Sequence, residues 1–183
     1  EIGVPRDWGR LMLLMEDRLS PAQKEGGRKI MARAGIRMTG QNRIWLTINT
    51  LYGALQARDA ALVKRCFDEI AQTIVVTTAE GVQPDWSYHQ HGPQLYTHGY
   101  GAAFVSDNTH WAVLAQGTPF AFAPEKIAIL ESLVLDGSQW LARGALAGMA
   151  GNGRGITRGP EVRADYLADG ARNLLRLKTP RAS

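Results

Sequence analysis

A single cysteine stands in the 183 residues, so no internal disulfide can form. That residue, Cys66, falls on an apolar helical face, the setting of a buried, inert thiol rather than a nucleophile. No apolar run approaches the roughly 20 residues of a membrane-spanning helix, which excludes that class. The opening residues EIGVPRDWGR lack the apolar stretch of a signal peptide, and Glu1 is not a natural start. The chain is therefore expected to be a mature or excised piece. Blocks of like charge, fixed-period repeats and low-complexity tracts are missing, and with them any nucleic-acid-binding tail. No Gly-x-Ser-x-Gly elbow, phosphate loop or dinucleotide fingerprint occurs. Strand-like alternation is missing as well.

What is there fits a soluble globular domain: 45% hydrophobic and 21% charged residues, with enough chain for one sizeable core. The formal net charge is +4, which mildly favours anionic partners. Charge alone does not choose among nucleic acid, acidic lipid and acidic polysaccharide.

Helical periodicity dominates. A helix is expected over about 6–19, and Ser20 with Pro21 caps a second that runs to about Ala34, weakened by Gly26 and Gly27. Ile44, Ile48, Leu51 and Leu55 recur at helical spacing within 42–57. Asp59 can cap the next helix, whose stripe is Leu62, Cys66, Phe67, Ile70 and Ile74. Helix resumes near Gly101 and reaches Gln116. Pro124 opens another, with Ile127, Leu130, Leu133 and Val134 inward, closed by Gly137. Ser138 can cap one more, through Trp140, Leu141 and Leu146, and a last helix covers 162–177. The fold class read from this is all-α, about eight helices in sequential antiparallel hairpins. Trp45, Trp111 and Trp140 are expected in the core.

One segment breaks the pattern. DWSYHQHGPQLYTHGYGAAF, Asp85–Phe104, holds three of the four histidines and three of the five tyrosines. Gly92, Pro93 and Gly99 keep its backbone from helix, so neighbouring side chains can converge. His91 can accept a proton or donate to an anion. Tyr100 stands at a helix start, where the positive dipole end favours a phenolate. A tyrosine titrates ordinarily near pH 10, so one working as a base near pH 7–8 needs roughly 3–4 kcal/mol of help. Arginine is the usual supplier, and the glycine-rich AGNGRGITRGPE offers Arg154 and Arg158. Trp86 is a candidate sugar-stacking platform, while His89 and His98 read as ordinary surface side chains. His89 and His91 give an H-x-H spacing that holds metal on a strand, but Gln94 stands where a glutamate is needed, and no metal is expected. Asp85, Asp107, Glu131 and Asp136 could serve a glycosidase, yet no spacing singles out a pair.

Taken in order, these stretches resemble the helical domain of the family 8 polysaccharide lyases, the chondroitin AC, hyaluronate and xanthan lyases. EIGVPRDWGRLMLLM, TGQNR, DWSYHQHGPQLY, GYG and GRGITR carry the resemblance across nearly the whole chain. It implies catalytic roles for Asn42, His91, Tyr100, Arg154 and Arg158. Trp86, Tyr96, Gln90 and Arg43 join them as substrate-binding candidates. Gln41, where an alanine is common, is expected to matter little. The implied fold is an incomplete α/α toroid, with 1–183 forming part of that catalytic domain and the family's β-sandwich region absent. The implied activity is β-elimination at a uronic acid without cofactor or metal. The implied partner is an acidic polysaccharide, not nucleic acid or membrane, and the implied location is secreted or periplasmic. A toroid that binds acidic glycans without turning them over is the alternative reading.

Overall fold

A computed structural model describes residues 1–157 and 163–181. The chain divides into two units, Glu1–Ile70 and Ala71–Ser183. Seven α-helices occur among the described residues, joined by short turns and four two-residue strands. None is long and apolar enough to cross a membrane.

The first unit contains α1 (Gly3–Leu14), α2 (Pro21–Met31), α3 (Gly40–Ala57) and most of α4 (Ala60–Thr73). Ser20 starts α2 as expected: its hydroxyl accepts from the Gln23 N–H while the Gln23 side chain accepts from the Ser20 N–H. Gly27 does not weaken this helix without return. A Cβ there would lie 2.1 Å from the Met12 sulfur and 2.3 Å from the Trp8 ring nitrogen, so the bare backbone lets α1 and α2 meet. Helix α3 packs against both α1 and α2. Its Ile44, Leu46, Ile48 and Leu51 are buried, each contributing about 1.5–3 kcal/mol. Leu55, the last residue of the expected stripe, is 38% exposed where the helix runs out. Asn49 donates to the Ile2 carbonyl at 2.9 Å and anchors the start of the chain. Asp59 caps α4 by accepting from the Leu62 N–H at 2.9 Å. Cys66 is fully buried, and desolvation pushes its thiol up to about 11, so it stays protonated.

In the second unit, β1 (Gly81–Val82) and β2 (Tyr88–His89) form an antiparallel pair ahead of α5 (Tyr100–Ala115). Helix α6 (Pro124–Ser132) continues into a π-helical turn, Leu133–Gly137, and a 3₁₀ turn, Ser138–Leu141. Strands β3 (Ala142–Arg143) and β4 (Leu146–Ala147) follow, then Met149–Thr157, two short 3₁₀ turns separated by a kink at Gly153, and α7 (Asp165–Leu177). The core gathers Phe104, Val105, Leu130, Leu133 and Leu174. Helix α5 packs along α7, and Asn173 donates to the Thr109 hydroxyl at 3.1 Å between them. Arg181 closes the unit with two bonds to the Asp136 carboxylate, at 2.6 and 2.7 Å.

Several expectations fail: the first helix spans Gly3–Leu14 rather than 6–19, and Trp45 is half-buried rather than in the core. Ser138 does not open a helix through Leu146, because a left-handed Gly144 (φ 60°) turns the chain into the β3–β4 hairpin instead. Trp140 is not in the core but 76% exposed on the preceding 3₁₀ turn. A few apolar residues at helical spacing could not outweigh the glycines around them. The last helix starts at Asp165, and 158–162, which include Arg158, lie outside the described residues.

Candidate active site

The backbone of the His/Tyr segment is a pair of tight hairpins. Strand β2 pairs with β1 on one side, with Val82 opposite Tyr88. On the other side it meets the returning chain through a bridge between His89 and Leu95, and the Tyr96 N–H donates to the Tyr88 carbonyl at 2.8 Å. The tip of the second hairpin carries His91 and Gly92, both left-handed, with φ of 62° and 79°. A glycine takes that conformation freely; a histidine takes it only where the surroundings hold it.

Glu80 is what holds it. Its carboxylate accepts from the Gly92 N–H at 3.0 Å and from the Gln90 side-chain amide. The residues on both sides of His91 are thus fixed to one carboxylate. Gln90 itself is 1% exposed and also accepts from the Tyr88 hydroxyl at 3.4 Å. A substrate contact through its side chain does not suit this burial; Gln90 supports the turn.

The rings converge beyond the hairpin. His91 stands edge-on to Tyr100, centroids 4.9 Å apart at 88°. Tyr96 meets Tyr100 at 5.0 Å and 67°. Such tilted contacts are worth about 0.5–1.5 kcal/mol each beyond burial and fix the orientation of the Tyr100 ring. Tyr100 is the first residue of α5, after Gly99 at the N-cap, so the expectation of a tyrosine at a helix start holds. Its hydroxyl end is approached by the Arg154 guanidinium, whose Nη2 donates to the phenol oxygen at 3.4 Å. Arg154 is exposed and Tyr100 half-buried, so the pair opens to solvent on one side.

Arg154 reaches this point because its loop is pressed onto Tyr96. Gly153 has φ 51° and ψ −137°, and a Cβ there would lie 2.7 Å from the Tyr96 ring. A Cβ on Gly99 would lie 2.0 Å from the same ring. Tyr96, at 3% exposure, is clasped between two glycines. It steadies Tyr100 and the arginine loop and has no face for stacking on a sugar.

The remaining candidates are dispersed. Trp86 is half-buried at the turn between β1 and β2, with a left-handed φ of 64°. Asn42 lies in the first turn of α3 in the other unit, half-buried, after a Thr39-Gly40 corner in which Gly40 is left-handed (φ 52°). Its neighbour Gln41 is fully buried. Arg43 forms an ion pair with Glu69, so its guanidinium already serves α3 and α4. His89, half-buried on β2, and His91 share no ligand set: among the described residues no three His, Cys, Asp or Glu side chains gather as for a metal. Among the glycosidase carboxylates, Asp136 is bound to Arg181, which holds its carboxyl down at about 2. Asp85 accepts from the Ser87 N–H at 3.0 Å, and Glu131 from the Arg181 N–H at 3.0 Å.

His98 corrects the sequence reading outright. It is 5% exposed, not a surface side chain. Nε2 lies 3.0 Å from the Leu141 carbonyl, which can only accept, so Nε2 carries the proton and Nδ1 accepts from the Tyr166 hydroxyl at 2.9 Å. Burial holds this histidine below its ordinary range and pushes the Tyr166 hydroxyl up to about 12. Its partners are 43 and 68 residues away, and no local pattern marks the pairing. Glu80 was missed for a similar reason, lying 10 and 12 residues from the groups it holds.

Relatives bear on this geometry. Chondroitinase-AC of Pedobacter heparinus is 31% identical over 167 residues, 88% of this chain and 24% of that protein. Xanthan lyase of Bacillus sp. strain GL1 is 23% identical over 177 residues, 93% of this chain and 18% of that protein. The chain thus spans about a quarter or less of their lengths. A solved chondroitinase AC lyase, studied with oligosaccharide complexes, superposes over 100% of this chain and 28% of its own, with TM-score 0.90 and 28% identity. A Paenibacillus xanthan lyase shares the fold at TM-score 0.81 and 22% identity, over 100% of this chain and 18% of its own. The model of polysaccharide lyase family 8, N-terminal alpha-helical domain, matches residues 1–182, and the chain belongs to that family.

Proposed function

We propose that this chain supplies most of the catalytic side chains of a lyase that cleaves uronic-acid polysaccharides, of chondroitin or hyaluronan type, by β-elimination. The observation that carries the reading is the Arg154 guanidinium on the Tyr100 oxygen, beside the edge-on His91 ring. Elimination removes the proton at C5, next to the uronate carboxylate, and expels the glycosidic oxygen at C4. The intermediate would carry a second negative charge beside the first. Neutralising the carboxylate is therefore the first requirement. Asn42 and His91 are assigned to it as hydrogen-bond donors. Tyr100 takes the C5 proton, and a proton from the same group goes to the leaving oxygen as the C4–O bond breaks. Arg154 places positive charge beside the oxygen that must carry negative charge. Arg158 is assigned to the anionic group of a neighbouring sugar, where its planar fork suits a sulfate or carboxylate. Trp86 remains the candidate for stacking on a sugar face.

The toroid arrangement, a β-sandwich region completing the cleft, and a secreted or periplasmic location belong to the same proposal. The small share of each relative that this chain covers supports a larger whole. The test is the near-ultraviolet absorbance of a new C4–C5 double bond, followed over chondroitin sulfates, hyaluronan, xanthan and alginate with a longer protein that contains this chain. A rise with at least one uronate polysaccharide is expected. Tight binding to all of them with no rise would mark a glycan-binding domain and overturn the reading.

A further inference from the structure

His98 lies two residues before Tyr100, and its connections lead to three segments around Arg154. Its backbone N–H donates to the Gly151 carbonyl at 2.8 Å, three residues before Arg154. Its ring donates to the Leu141 carbonyl, and that same oxygen accepts from the Gly148 N–H at 2.7 Å, so the arginine loop is tied there a second time. The other ring nitrogen accepts from Tyr166, in the first turn of α7, the helix that follows the loop. Nothing about burial alone calls for an imidazole here. A leucine would fill similar space without desolvating two polar nitrogens. What the imidazole adds is direction: two fixed hydrogen bonds in one plane, each with a single partner, define one geometry in a low-dielectric setting.

We infer that His98 is a positioning residue, whose buried ring ties Leu141 to Tyr166 while its backbone N–H holds Gly151, so that the Arg154 guanidinium arrives on the Tyr100 oxygen. The inference rests on the assignment of Tyr100 and Arg154 under the proposed function. At 3.4 Å the contact between them has little slack. A shift of about 1 Å in the loop would break it, and misplacement on that scale costs about 10²-fold in rate.

The experiment compares His98→Ala, His98→Gln and Tyr166→Phe with the unaltered sequence in the lyase-active protein that carries this chain. Initial rates over a range of substrate concentrations are normalised to the folded fraction measured by near-ultraviolet circular dichroism. His98→Ala is expected to lower kcat by about 10²-fold with KM within a few-fold. Tyr166→Phe, which leaves the Leu141 and Gly151 links, should fall between it and the unaltered protein. His98→Gln, which can keep the donor to Leu141 and loses the fixed acceptor, should also be intermediate. A purely structural histidine would reduce the amount of folded protein and leave kcat per folded molecule intact. That result, kcat within about threefold in the folded fraction of the variants, overturns the inference. If His98→Ala does not fold, His98→Gln and Tyr166→Phe decide it. A Tyr100→Phe control separates the two levels: activity surviving in it refutes the underlying assignment, whereas an inactive Tyr100→Phe beside unaffected His98 and Tyr166 variants refutes only the role of His98.

Discussion

His91 keeps a left-handed backbone that costs a residue with a Cβ about 1–3 kcal/mol, and its ring is spent on Tyr100 rather than on the core. His91→Gly should therefore leave stability within about 1 kcal/mol, since relief of strain offsets the lost ring contact and added chain entropy. Turnover should fall by about 10²-fold or more, as expected on losing a positioned donor. Thermal unfolding and initial rates check the two halves. His98 gives a pH prediction of definite sign. An unfolded histidine binds a proton below about pH 6.5, whereas the buried ring, facing the Tyr166 hydroxyl and the Leu141 carbonyl, does so only at lower pH. Between those limits the unfolded chain binds more protons, so stability is full above about pH 6.5 and declines as pH falls below it. Chemical denaturation at several pH values should show that decline, and it should be blunted in His98→Gln.

At the scale of elements, the site depends on loops that lie against one another. Gly153, against Tyr96, is one of two close approaches between the arginine segment and the His/Tyr segment, the other being Gly151 against His98. Gly153→Ala must place a Cβ 2.7 Å from the Tyr96 ring in a backbone conformation reserved for glycine, and should cost about 2 kcal/mol or more. It should also separate Arg154 from Tyr100, so kcat should drop with little change in KM; calorimetry and kinetics together test this. The helices were legible in the sequence because their signals are local: Ser20 with Pro21, Asp59, Pro124 and the stripe from Ile44 to Leu51 all act within a few residues. The convergence of His91, Tyr100 and Arg154 was legible only through ordered motifs. The supports were not, because Glu80, Tyr166 and the Leu141 carbonyl act across long separations that leave no periodicity. Trp140 misled because an apolar residue in a helical pattern reads as core, and here glycines on both sides turned the pattern into a 3₁₀ turn and a hairpin.

For the whole molecule, the proposed chemistry needs water excluded and sugar held, and Arg154 with Tyr100 opens to solvent in this chain. Charges at an open site act in high dielectric and are worth little. The 183-residue chain alone should bind acidic oligosaccharides weakly and turn them over more slowly than a longer protein containing it, by several orders of magnitude if positioning is lost. Side-by-side kcat values for the two decide this, and equal values would show that the helical domain suffices. The account as a whole turns on the phenol of Tyr100. The most direct measurement is the rate of double-bond absorbance for Tyr100→Phe in the active protein, with oligosaccharide affinity measured in parallel. The account predicts a loss of about 10²–10⁴-fold in rate with affinity within a few-fold. A variant that keeps more than about a tenth of the rate would contradict it, since a positioned acid–base residue typically contributes about 10²–10⁴-fold.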